Sequence, residues 1–164
     1  TAKSLSLAAT GEGYNDHLAG HITVNLGDDT LLCNPWLLTW DEIYPRHLIR
    51  IDLDGNLVRA FADDKRLNAP WGLAIAPADG FGPFNGALLV GNFGGKGRIA
   101  AFDVERGAFL GFLQRDNGEP VAIEGLWGLQ FGNGASLGDV NALYFAAGPG
   151  DEKQGLFGVL RHAG

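Results

Sequence analysis

The sequence predicts an all-β chain built from repeated four-stranded antiparallel sheets, and three observations carry that expectation. Glycine accounts for 26 of 164 residues, without any three-residue period. That is about 16% where ~7% is usual, and the glycines fall between short apolar runs, where strands turn. Those runs are four to six residues long, rich in Val, Ile, Leu and Phe, and separated mostly by Gly, Asn, Asp or Pro. Finally, the chain repeats itself. Pro70-Trp71-Gly72-Leu73 returns as Leu126-Trp127-Gly128-Leu129, an offset of 56, and Ala87-Leu88-Leu89-Val90 returns as Ala142-Leu143-Tyr144-Phe145, an offset of 55. Gly97-Arg98-Ile99-Ala100-Ala101-Phe102 is echoed by Gly155-Leu156-Phe157-Gly158-Val159-Leu160, an offset of 58.

Taken in order, the elements begin with the best helical stretch, Ala2 to Leu18, which Gly11 and Gly13 interrupt. Strands are expected at His21–Asn25 and Thr30–Cys33. A short helix is expected at Thr39–Tyr44, where Thr39 can cap the N-terminus with Glu42 three residues on. Strands follow at His47–Asp52 and Leu57–Ala62, with Asp54-Gly55 between them as a two-residue hairpin signal. The repeated part supplies Trp71–Ala76, Ala87–Asn92, Arg98–Asp103 and Phe109–Gln114, with Glu105-Arg106-Gly107 as the turn before Ala108. The last strands are Leu126–Phe131, Ala142–Ala146 and Gly155–Leu160.

A period of roughly 40–50 residues filled with short strands signals β-propeller blades. A blade cannot bury both faces alone and needs neighbours. The four strands from His21 to Ala62 make one blade equivalent, and the repeat supplies two more, the last incomplete. Three blades cannot close on one axis, because closed propellers have roughly four to eight. A symmetric homodimer would give six, and a homotrimer counting two blades per chain is the competing arrangement.

Composition removes several classes of function. A net charge of −7 makes nucleic acid and anionic membranes poor partners. No apolar run approaches the ~18–20 residues of a membrane span. The start, TAKSLSLAATGEG, has no long apolar stretch of the signal-peptide kind, as a mature chain after cleavage would also lack, so the compartment stays unassigned. The single cysteine, Cys33, forbids an internal disulfide and any CxxC metal site.

Two resemblances divide the chain into 1–58 and 59–164. The strings LNAPWGLAIAPADGFGPFNGALLVGNFGGKGRIAAFDVERGAFLGFL, IEGLWGLQFGNG and NALYFAAGPGDEKQGLFG, over residues ~67–158, resemble an exported bacterial family of NHL-like six-bladed β-propellers. The strings GYNDHLAGHITVN, TLLCNPWLLTWDEI and LIRIDLDGNLV, over residues ~13–58, resemble the N-terminal part of the class II aldolase/adducin family. That second resemblance implies a substrate phosphate near Gly20-His21 and Thr23, and a pocket wall at Asn34-Pro35-Trp36-Leu37, where Leu37 replaces the family's glycine. Its zinc histidines would lie downstream, yet after Val58 only His162 is present, too few for a three- or four-ligand site. A chimera, natural or engineered, with its crossover in the Asp52–Val58 hairpin accounts for both resemblances. The N-terminal strands would then be refitted as a blade.

Candidate chemistry is sparse. Trp71 and Trp127 are read as filling between blades or as ligand-facing aromatics, with Asn92 beside them as a candidate ligand contact. Asn68, Asn92 and Glu124 fall at the expected propeller mouth. The propeller resemblance implies calcium there, serving hydrolysis of esters, lactones or phosphoesters. The plainer reading gives both asparagines to turns and Glu124 to water. His17 and His21 have a spacing that suits two ligands on a helix, but Gly20 and the β-branched residues after it oppose a helix there. A triad of Asp16, His17 and Ser4 or Ser6 has nothing to fix its geometry. Gly91-Asn92-Phe93-Gly94-Gly95-Lys96-Gly97 lacks the spacing of a phosphate-binding loop and reads as a turn between strands. The leading expectation is therefore a self-associating scaffold or binding module without cofactor. A calcium-dependent hydrolase is the first alternative, and a non-functional class II aldolase remnant the second.

Overall fold

The structure is a computed structural model that describes residues 24–25, 30–33, 48–52, 57–61 and 66–164. The expected helices at Ala2–Leu18 and Thr39–Tyr44 lie outside the described residues, as does the Asp54-Gly55 turn. Among the described residues there is no α-helix, and no helix long and apolar enough to cross a membrane. The chain is all-β there, as its punctuation predicts.

Among the described residues, eleven strands form three antiparallel sheets, each a meander in chain order. The first sheet holds β1 (Val24–Asn25), β2 (Thr30–Cys33), β3 (Leu48–Asp52) and β4 (Leu57–Phe61). The second holds β5 (Pro70–Ile75), β6 (Leu88–Asn92), β7 (Ile99–Phe102) and β8 (Phe109–Phe112). The third has only β9 (Leu126–Phe131), β10 (Leu143–Ala147) and β11 (Leu156–Leu160). A short 3-10 turn at Gly82–Phe84, started by Pro83, is a feature the strand pattern does not announce.

Register explains the stacking. Side chains alternate along a strand, so each sheet has two faces. On the second sheet, Leu73, Leu88, Val90, Ala100 and Phe102 face the first sheet and pack with Leu48 and Phe61. Phe61 meets Phe102 edge to face, at 5.9 Å between centroids. The alternate residues Ala74, Leu89, Ile99 and Ala101 face the third sheet and pack with Leu126, Leu129, Leu143 and Phe145. Every residue of β6 and β7 is therefore buried. This is why β7 reads as an unbroken apolar run, and β6 does up to its closing Asn92.

The repeated Trp-Gly pair has a structural counterpart. In β5 the register shifts between Pro70 and Leu73, and in β9 it shifts across Trp127. Such an irregularity bends the strand and re-aims a side chain. At Gly72 the two first strands come close: a Cβ there would stand 2.8 Å from the Trp127 carbonyl oxygen and 3.0 Å from the Leu129 nitrogen. Only glycine admits that approach without a shift.

Candidate functional site

The loops at one end of the second and third sheets carry most of the residues singled out by sequence. Trp71 and Trp127, placed by the matching register shifts, meet edge to face at 4.5 Å. Phe93 completes the cluster, 4.7 Å from Trp127 and 6.3 Å from Trp71. All three rings are partly buried and close this end of the seam between the two sheets.

Asn92, at the end of β6, is the one buried polar side chain among the described residues, at 3% exposure. A buried amide must find partners. Its Oδ1 accepts the Asn68 backbone N–H at 2.6 Å, and its Nδ2 donates to the carbonyls of Arg66 at 3.3 Å and Arg98 at 3.1 Å. One side chain thus ties the segment entering β5 to the start of β7. Phe93 N–H on Ala69 and Gly94 N–H on Asn68 reinforce the same joint.

Asn68 and Asn92 are brought together, lining a cleft of about 250 Å³ with Arg66, Gly94, Gly95, Lys96, Arg98 and Phe112. Glu124 is not part of it. It lies on the loop before β9, where its Oε1 accepts the Gly150 N–H at 2.9 Å and so binds the β10–β11 turn. Among the described residues its lining holds three cationic side chains and no acidic one. Calcium sites gather six to eight oxygens, with carboxylates supplying the charge. Two amides among three cations, one amide oxygen already accepting a backbone N–H, do not fit that ion. Among the described residues, no group of three or more His, Cys, Asp or Glu could hold a metal ion. The Asp16, His17 and His21 candidates, Ser4, Ser6, Gly20, Thr23 and Asn34–Leu37 lie outside the described residues.

The turn between β7 and β8 is held by one carboxylate. Asp103 Oδ1 accepts the backbone N–H groups of Arg106 at 2.8 Å and Glu105 at 3.0 Å. The Arg106 N–H holds the Asp103 carboxyl below its ordinary value, helped by the charges of Arg106 and Arg59 and the Glu105 N–H, against partial desolvation. Arg59 of β4 donates to the Arg106 carbonyl at 3.3 Å, so this turn also fastens the first sheet to the second.

Residues 4–73 match the Class II Aldolase and Adducin N-terminal domain. The match extends past the 13–58 resemblance on both sides, and it ends within β5. Three proteins of Acanthamoeba polyphaga mimivirus, each bearing only the name uncharacterized protein, are also similar. One is 38% identical over 128 residues, 77% of this chain and 32% of the relative. The second is 41% identical over 110 residues, 66% of this chain and 26% of the relative. The third is 40% identical over 76 residues, 46% of this chain and 14% of the relative. The chain therefore spans a third or less of the length of the curated relatives it matches.

Proposed function

We propose that the chain is a propeller-type scaffold and binding module, three sheets of a ring that a second copy completes to six. The observation that carries this reading is the open face of the third sheet. The repeat equates Gly72, Ala74, Leu89, Ile99 and Ala101, which the third sheet covers, with Gly128, Gln130, Tyr144, Phe157 and Val159. In the third sheet Gln130, Phe157 and Val159 of that second set are exposed, and Gly128 and Tyr144 partly so. Phe157 is 74% exposed and Val159 40%, and Leu137, which lines a cleft with Phe157, is exposed too. Tyr144 and Phe157 stack at 5.9 Å and line an open cleft together with Leu137. Gly72 admits a neighbouring first strand, whereas the space over Gly128 is empty.

Contiguous apolar surface of this kind marks an interaction site. The occupant is the first sheet of another copy, because a sheet of this chain is what covers the equivalent face one repeat earlier. Two sets of three sheets fall within the four to eight of closed propellers. Twofold symmetry is also the commonest closed arrangement. An origin in two recombined pieces belongs to the same reading. The family match runs to residue 73, past the Asp52–Val58 hairpin expected to hold the crossover and into the first copy of the repeat, so it lends that origin no support.

Size-exclusion chromatography with light scattering tests the assembly. Twice the chain mass of 17.4 kDa, about 35 kDa, is expected. A mass of about 52 kDa would replace the dimer by a trimer. A compact monomer at micromolar concentration overturns the ring.

A further inference from the structure

An asparagine followed by glycine exposes its side-chain amide to attack by the next backbone nitrogen, because glycine puts no side chain in the way. The pair occurs three times, as Asn85-Gly86, Asn117-Gly118 and Asn133-Gly134, with all of these residues exposed. The fold restrains the three unequally. Asn85 Oδ1 accepts the N–H of buried Phe81 at 2.7 Å, and Gly86 N–H donates to the Pro77 carbonyl at 2.9 Å, directly before buried Ala87. Asn133 Oδ1 accepts two N–H groups, from Ala135 at 3.0 Å and Leu137 at 2.9 Å, while Gly134 N–H donates to the Gly138 carbonyl at 2.8 Å. Asn117 sits at the tip of a turn whose bonds all fall between Arg115 and Glu119. There Gly118 N–H donates to the Arg115 carbonyl at 2.8 Å, and Asn117 Oδ1 accepts the Glu119 N–H at 3.0 Å. Asn117 Nδ2 donates to Glu119 Oε2 at 3.2 Å. Residues 114–119 are exposed without a break.

We propose that Asn117 is a site of spontaneous deamidation selected by the fold. A glycine N–H that is hydrogen-bonded does not attack, so the reaction passes through local opening and its rate follows the cost of that opening. Opening the 115–119 turn breaks bonds only between exposed residues, whereas freeing Asn85 releases the buried Phe81 N–H and disturbs the entry to β6. In the opened turn the Gly118 nitrogen bonds to Asn117 Cγ and gives up its proton to solvent, and Nδ2 leaves as ammonia. Water then opens the cyclic imide at either carbonyl, leaving aspartate or isoaspartate at 117. Aspartate exchanges the amide donor facing Glu119 for a carboxylate, next to Asp116. Isoaspartate adds a carbon to the main chain and puts the turn out of step with the Gln114–Pro120 bridge. Gln114, Arg115 and Asp116 line a cleft of about 420 Å³ with Leu160 and His162, so either product alters its rim. The site is independent of how many copies associate.

The test holds the full chain in warm, mildly alkaline buffer, folded in one sample and in urea in the other, and then cleaves it at glutamate. Cutting after Glu119 and Glu124 puts the three Asn-Gly pairs on separate peptides, and mass spectrometry follows the change from amide to acid in each. In the folded chain Asn117 should convert about tenfold or more faster than Asn85, with Asn133 also behind, as a correspondingly cheaper opening requires. Isoaspartate should accumulate at 117 in that sample. In urea the three rates should fall within a few-fold of one another. Conversion of Asn85 or Asn133 as fast as that of Asn117 in the folded chain overturns the proposal. So does the same spread of rates in urea, because the neighbouring residues rather than the fold would then set the order. An Asn117 that stays intact in the folded chain while the urea sample reacts overturns it as well.

Discussion

The second and third sheets carry the two copies of the sequence repeat and differ in what surrounds them. In the second, both faces are covered, and β6 and β7 are buried from end to end. In the third, β10 alternates between buried Leu143, Phe145 and Ala147 and more exposed Tyr144 and Ala146. Matching positions have also diverged: Leu89 corresponds to Tyr144 and Ala74 to Gln130. The lesson is that a repeat's residue pattern defines a sheet, while its position in the stack decides which of its residues carry stability.

The largest expected effect contrasts two phenylalanines. Phe102→Ala, in the core between the first two sheets, should cost ~3–5 kcal/mol in chemical denaturation. Phe157→Ala, on the open face, should stay within ~0.5 kcal/mol for the folding of one chain. Comparable losses at both would mean that the third sheet is covered as fully as the second. Next comes the glycine pair. Gly72→Ala forces a methyl against the β9 backbone and should cost about 1–3 kcal/mol. Gly128→Ala meets open space in the isolated chain and should change its stability by less than ~0.5 kcal/mol. Phe157→Asp should leave the denaturation midpoint of the isolated chain nearly unchanged, yet halve the mass seen by light scattering if the proposed pairing holds.

The smallest effect belongs to the β7–β8 turn. The Asp103 carboxyl sits below its ordinary value of 3.8 in the folded chain. Its charge therefore contributes stability above pH 3.8, and that contribution fades as pH falls through the lowered folded value. Asp103→Asn keeps an acceptor oxygen but not the charge. It should melt slightly below the parent protein at neutral pH, with the gap closing under strong acid. A gap that widens on acidification would reverse the sign of this interaction.

Much of the fold is legible in the residues. The strands were readable because Gly, Asn, Asp and Pro mark their ends, and because buried strands such as Ile99–Phe102 are continuously apolar. The spacing of the two Trp-Gly pairs also conveys that β5 and β9 are equivalent first strands. Less of the candidate site could be read. Asn92 draws attention as a polar residue at a strand end, but nothing local reveals that its amide spans Arg66 and Arg98. The cleft itself is invisible in the chain order, since Arg66, Lys96 and Arg98 meet only through antiparallel pairing of β5, β6 and β7. The one available clue was the Lys96-Gly97-Arg98 run in an otherwise acidic protein.

Val58, half exposed on β4, alternates with Phe61 and Arg59, the residues that lean on the second sheet. The far side of the first sheet and the open side of the third are therefore different surfaces, and chains joined through them would follow one another head to tail. A joint of that type repeats at whatever angle its two surfaces impose. A half-turn per copy brings the series back to its start and ends growth, whereas any leftover pitch would carry it on as a filament. The shape of Phe157 and Val159 at such a joint would then govern how long the assembly becomes as well as how tightly it holds.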